Sequence, residues 1–356
     1  MSIMAMTDSI SHMDLPESID SESALDEYLT RPSPALVEHI RTLKGPLVIL
    51  GAGGKMGPTL AVLARRAAQQ AGCRLEVCAI SRFSQPAARD WLDQHDVQTL
   101  SVDLLDEGSK PLLPDASDVI YLVGGKFGTA DNPARTWAVN TAIPAWVAPR
   151  YAAARMVALS TGNVYPLTPA ERGGSIEQDP VAPVGEYAAS CVGRERIFEF
   201  HSRERGLAVA LIRLNYAVEL RYGVLVDLAA QVLAGRPVDL RMGHFNCIWQ
   251  GDANDMILRA LSLTASPPSI YNLTGPATLS VREIATRLGQ LLERPVEFLH
   301  QESATALLSN AAAISHALGP PPTPLEAVLR WIARWLARGG RRWNKPTHFE
   351  VRDGRF

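Results

Sequence analysis

Lysine is the scarce residue of this chain. Only five lysines (Lys44, Lys55, Lys110, Lys126 and Lys345) stand among 35 basic residues, and the other thirty are arginine. A drift from Lys to Arg in a GC-rich genome accounts for most of that ratio, yet the two side chains do different chemistry, and lysine sites are few. Cysteine is nearly as sparse. Cys73, Cys78, Cys191 and Cys247 show no CxxC spacing and no partnering histidines, which argues against a zinc site and against a disulfide framework. No apolar run approaches the ~20 residues of a membrane helix, and the first residues lack the basic stretch and apolar core of a signal peptide. These absences predict a reduced, cytoplasmic protein. What is present, 47% hydrophobic and 20% charged residues with a net charge of −2, fits a globular chain of one large or two small domains.

The charges are segregated. Residues 1–30 hold seven acids (Asp8, Asp14, Glu17, Asp20, Glu22, Asp26, Glu27) and no base, while the last thirty-one residues hold eight bases against Glu326, Glu350 and Asp353. A basic tail can bind nucleic acid. Here, however, Arg330, Arg334 and Arg338 recur every four residues beside Leu325, Val328, Leu329, Ile332 and Leu336, the pattern of an amphipathic helix with a solvated face. The expected partners therefore include neither nucleic acid nor membrane.

Residues 22–43 read as helix broken at Pro32 and Pro34. From Pro46 the apolar runs Leu47–Leu50, Leu75–Ile80, Val119–Val123, Met156–Leu159 and Val209–Leu214 read as strands, with helices such as Pro58–Ala71 and Pro133–Ala148 between them. Buried strands alternating with helices specify an α/β fold, a Rossmann-like doubly wound parallel sheet. The expected division is an N-terminal extension (1–45), a dinucleotide-binding domain (46–215) and a smaller mixed substrate region (216–356) with its amphipathic helix and tail. No internal repeat is found.

The sharpest local signal is Leu47-Val48-Ile49-Leu50-Gly51-Ala52-Gly53-Gly54-Lys55-Met56-Gly57, followed by Pro58. An apolar strand runs into glycines and then into a helix. Gly51, Gly54 and Gly57 permit a tight turn, close approach of backbone N–H groups to a pyrophosphate, and close helix–strand packing, and the helix N-terminus favours the anion. Gly53, Lys55 and Met56 complete the run as candidate cofactor contacts. At the end of the second strand, where an NAD site carries an acid for the ribose 2′-hydroxyl, Ile80 is followed by Ser81-Arg82. A hydroxyl and a guanidinium suit a 2′-phosphate, so NADP(H) is expected in preference to NAD(H), which stays open.

With these motifs the chain resembles an extended short-chain dehydrogenase/reductase of the NAD-dependent epimerase/dehydratase type, from about Pro46 to Phe298. The resemblance is carried by the glycine turn, Asp103-Leu104, Gly124-Gly125, Asn140, the segment Ser160-Thr161-Gly162-Asn163-Val164-Tyr165, Tyr187, and Tyr271-Asn272-Leu273-Thr274. It implies that Asp103 and Leu104 border the adenine, that Gly124 and Gly125 border the cofactor, that Thr161 supplies a catalytic hydroxyl, and that Tyr187 is the general acid/base and a cofactor contact. A small-molecule substrate follows, and a homodimer is common in the resembling family.

In that family a lysine four residues after the tyrosine lowers the phenol's pKa and grips the nicotinamide ribose. Here the run is Tyr187-Ala188-Ala189-Ser190-Cys191, and a thiol cannot do either. Arg194 on the same helical face, Lys126 after the fourth strand and the helix N-terminus are the conceivable replacements, and Lys126 is the candidate catalytic residue put forward. Cys191 itself reads as a buried filler rather than a nucleophile, His244 as a loop residue, and Trp331, Trp335 and Trp343 as packing. Tyr165 is expected to border the site. Gly162-Asn163 replace the acids that the family's dehydratases use to protonate a leaving hydroxyl. Phe245 falls near the family's diphosphate-binding arginine, and Asn215 stands one position early. The resulting expectation is an NADP(H)-linked oxidoreductase or epimerase of a small sugar, sugar acid or other hydroxy/keto compound. The competing reading, motivated by the missing lysine, is a non-catalytic dinucleotide sensor or structural subunit.

Overall fold

The computed structural model describes residues 15–126 and 128–355. Seven strands make the central sheet: β1 (Leu47–Leu50), β2 (Val77–Ser81), β3 (Gln98–Ser101), β4 (Asp118–Tyr121), β5 (Arg155–Thr161), β6 (Ala208–Leu214) and β7 (Ser269–Leu273). They lie in the order β7-β6-β5-β4-β1-β2-β3, and every pairing is parallel. β1 and β4 are buried throughout, because helices cover both faces of the sheet. The chain leaves β1 toward β2 on one side and later reaches β4 on the other. The crevice at their C-terminal ends is the switch point where such sheets bind ligands.

The helix Gly57–Ala71 springs from the end of β1, with Pro58 in its first turn and Gly72 closing it in a left-handed conformation. The expected single helix 133–148 is instead three pieces: α-helix Pro133–Trp137, a π turn Ala138–Ala142, and α-helix Ile143–Arg150. Pro144 has no N–H to continue the ladder, and the wider turn before it holds the buried Asn140.

The sheet does not end at residue 215. β7 comes from 269–273, and the helix Gln250–Arg259 packs on Gly57–Ala71, where Gln250 Nε2 and Asn254 Nδ2 donate to Thr59 Oγ1 at 3.1 and 3.0 Å. The second lobe is built from the remainder of 216–356. Its core joins Val224–Leu233, Val281–Leu292 and Leu325–Ala337 through Val224, Leu228, Leu288, Val328 and Ile332.

The N-terminal extension breaks as its prolines predict, into helices Glu22–Leu29 and Pro34–Ile40 capped by Ser21 and Ser33. Tyr28 packs edge-on against Trp331, which also meets Trp249, so the tryptophans of the C-terminal helix are core. That helix and the residues just after it turn arginines to the acidic N-terminal segment: Arg334 and Arg338 pair with Asp20, and Arg341 with Glu22. Of the seven N-terminal acids, Asp8 and Asp14 lie outside the described residues.

Candidate active site

Two adjoining cavities of about 380 and 300 Å³ open over the C-terminal ends of β1 and β4, sharing Gly51, Gly54, Leu122 and Gly124. The glycine turn is their common wall. Gly51 has φ +83°, and a Cβ there would lie 2.8 Å from the Val123 nitrogen; at Gly57 a Cβ would collide with the Ala52 backbone. The turn thus sits against β4 with its helix N-terminus facing the cavity. The absence of side chains at Gly51 and Gly57 is what allows this close packing, and backbone N–H groups at a helix N-terminus suit an anion.

The smaller cavity is lined by Gly53, Ser81, Arg82, Asp103, Leu104 and Arg135, among others. It holds the residues expected at the adenosine end of a dinucleotide. Ser81 and Arg82 stand at the end of β2 as the sequence predicts. The glycine pair after β4 divides: Gly124 faces both cavities, while Gly125 is absent from both linings. Its N–H donates to Asn140 Oδ1 (3.0 Å) and its carbonyl accepts from Asn140 Nδ2 (3.2 Å). Gly125 therefore fixes the loop through Asn140 rather than facing the cavity.

The larger cavity brings together Lys55, Met56, Lys126, Ser160, Thr161, Asn163, Tyr187 and Arg194. Tyr187 sits in the first turn of the helix Gly185–Arg205, and Thr161 ends β5. The Thr161 hydroxyl and the Cys191 thiol are both hydrogen-bond partners of the Tyr187 phenol. Asn163 orients the threonine, its N–H donating to Oγ1 (3.2 Å) and its Oδ1 accepting from it (3.0 Å). Burial pushes the phenol upward, with Cys191 adding to the shift and Arg194 and Thr161 opposing it.

Lys126 reaches this tyrosine from the loop after β4, its Nζ 5.8 Å from the Tyr187 ring centroid and 3.4 Å from the Thr347 carbonyl. Burial lowers its pKa to about 8. Lys55 lies over the Tyr222 ring at 3.1 Å, and burial, aided by the charges of Lys126 and Lys345, lowers it to about 7. Arg194 is spanned between Asn140 and the Leu159 carbonyl (2.8 Å), so it braces the helix against β5. Cys191 is fully buried and burial raises its thiol, which leaves it unactivated.

Other expectations resolve differently. Tyr165 is buried away from the cavity, where its hydroxyl donates to Asn272 Oδ1 (2.9 Å) and accepts from Arg213 (2.7 Å), itself in a buried ion pair with Glu195. His244 lies on a short strand and lines neither cavity. Tyr222, Gln250, Thr347 and Lys345 line the cavities without any local motif to announce them. Among the described residues no cluster of His, Cys, Asp or Glu could hold a metal, and no helix is long and apolar enough to cross a membrane.

A comparison with curated protein sequences gives no match. Solved structures give the fold. A UDP-glucose 4-epimerase of Thermus thermophilus in complex with NAD is 20% identical, with a TM-score of 0.67 over 83% of this chain and 99% of that one. A UDP-glucuronic acid 4-epimerase of Bacillus cereus with NAD is 15% identical, with 0.68 over 82% and 99%. A dTDP-glucose 4,6-dehydratase of Bacillus anthracis, also with NAD, is 14% identical, with 0.68 over 83% and 97%. The model of the NAD dependent epimerase/dehydratase family matches residues 47–272. A parallel sheet with its glycine turn at the switch point, a threonine and a tyrosine in contact beside it, and this match place the chain in the NAD dependent epimerase/dehydratase family of enzymes.

Proposed function

We propose that the protein is an NADP(H)-linked epimerase or oxidoreductase of a small sugar, sugar acid or other hydroxy/keto compound. The observation that carries this reading is the contact between Thr161 and Tyr187 in the larger cavity, with Lys126 beside the tyrosine. A bound nicotinamide would supply hydride acceptance and donation. The glycine turn, Gly124, Asp103 and Leu104 would hold the dinucleotide, and Ser81 and Arg82 would take a 2′-phosphate. The relatives named above hold NAD, so the NADP(H) assignment rests on those two side chains alone.

Thr161 and Tyr187 would bind the reacting oxygen, and Tyr187 would move its proton. Asn163 keeps the threonine aimed. Lys126 would stabilise the phenolate from the position its burial gives it, replacing part of what a lysine at residue 191 would do. Among the described residues no Asp or Glu lines the larger cavity, so no carboxyl group there is placed to protonate a leaving hydroxyl, which favours epimerisation or oxidoreduction over dehydration. Phe245, near the position where the resemblance expects a diphosphate-binding arginine, is buried against Phe349 at 6.0 Å between centroids, which favours a substrate smaller than a nucleotide-sugar.

Tyr187→Phe tests the reading. Turnover of whichever panel compound the wild type converts should fall by about 10²-fold or more, with dinucleotide affinity within about threefold of wild type. Full activity in that variant would refute the proton-transfer role. A wild type that binds dinucleotide but never changes its redox state across a broad panel of sugars and keto acids would favour a sensor instead.

A further inference from the structure

The C-terminal tail after Ala337 is a tied strap. The Arg341 carbonyl accepts from Trp335 Nε1 (3.0 Å), the Trp343 N–H donates to the Arg221 carbonyl (3.1 Å), and the Trp343 ring stacks on Tyr222. Thr347 donates through both N–H and hydroxyl to Asp227 (2.8 and 2.6 Å), and Arg352 is anchored on Thr305. Gly354 lies so close to Val184 and Gly185, at the start of the Tyr187 helix, that a Cβ on either glycine would collide. Between these ties the strap crosses the middle of the groove. Thr347 lines the larger cavity and Lys345 the smaller one, together with Gly51, Gly53 and Gly54. Lys345 is also near enough to Lys55 for their charges to interact. The strap lies outside residues 47–272, the segment that the family model matches.

We infer that the strap is the second jaw of the dinucleotide site and that Lys345, facing the glycine turn, is a pyrophosphate ligand of the cofactor. This rests on the reading of the groove as a dinucleotide site. The glycine turn offers backbone N–H groups from one side, and the strap offers an exposed ammonium from the other. The tie at Gly354 sets the strap against the start of the tyrosine helix, and the tie at Thr347 holds it on the helix Val224–Leu233.

The experiment is fluorescence titration of the full-length protein with NADH, NADPH, ADP and adenosine, in wild type, Lys345→Ala, Lys345→Arg and Thr347→Val. Lys345 is exposed, so its truncation leaves the core intact. Lys345→Ala should weaken NADH, NADPH and ADP alike by about fivefold to tenfold and leave adenosine unchanged, and Lys345→Arg should restore most of the loss. Thr347→Val should speed NADPH release in stopped flow. Unchanged affinities in Lys345→Ala, or a loss confined to NADPH that would move the lysine to the 2′-phosphate, would overturn the inference while leaving the site reading intact. A wild type that binds neither dinucleotide overturns the site reading and the inference with it.

Discussion

Replacing Lys126 by methionine removes one charge and keeps much of the side chain's bulk. The ammonium lies 5.8 Å from the Tyr187 ring centroid. At an effective dielectric near 20 a charge at that distance stabilises a phenolate by about 3 kcal/mol, or about two pKa units. Below the phenol's pKa, kcat for oxidation should therefore fall by about 100-fold in Lys126→Met and climb about tenfold per pH unit as the medium is made more alkaline. The wild type should behave differently at high pH. Burial lowers Lys126 to about 8, so its cation is present below that pH and lost above it, and the wild-type profile should flatten above about pH 8 while the variant continues to rise. Lys126→Arg keeps a charge that does not titrate, and should retain most of the rate without the flattening near pH 8. The assay is the initial rate of nicotinamide reduction from pH 6 to 10 with saturating cofactor and substrate. A Lys126→Met enzyme within threefold of wild type, with the same profile, would refute the claim that Lys126 replaces the lysine missing at Cys191.

Two further outcomes are expected. Arg82→Ala should weaken NADPH binding about tenfold in isothermal titration and leave NADH unchanged, through loss of one charge-assisted contact at the end of β2; tighter NADH than NADPH binding in the wild type, unaffected by the substitution, would reverse the cofactor assignment. Asp252 accepts the Thr323 N–H and hydroxyl at 2.9 and 2.8 Å, and burial raises its pKa to about 7. Its folded pKa exceeds its unfolded one, so its contribution is fully present below about pH 4 and lost as pH rises through 7. It amounts to at most about 4 kcal/mol. Thermal melts of wild type from pH 4 to 8 should slope downward relative to Asp252→Asn, and parallel curves would show that the carboxyl is not held protonated.

The glycine turn, the alternating strands and the order of Thr161 and Tyr187 were legible because each is a local signal: a strand, a turn chemistry, a helix start. The N-terminal helices were legible for the same reason, since Ser21 and Ser33 cap them and the prolines break them. Asn140 was visible as a motif residue, but its clamp on Gly125 arises only because a π turn before Pro144 rotates it inward. Tyr165 followed the threonine in sequence and was expected at the site. The 3-10 turn Gly162–Val164 after β5 carried it instead to the buried Arg213–Glu195 pair.

The sequence by itself determined the α/β class, the position of the dinucleotide turn and the absence of lysine at residue 191, because these depend on residue type within one or two elements. Only the tertiary structure decided which cations share a groove with Tyr187. Three of the five lysines, Lys55, Lys126 and Lys345, come from a turn, a loop and the C-terminal strap to line one groove. No spacing in the chain links residues 55, 126 and 345. They meet because β1 and β4 are neighbours in the sheet, and because the ties of Trp343, Thr347 and Gly354 draw the last residues across its C-terminal edge.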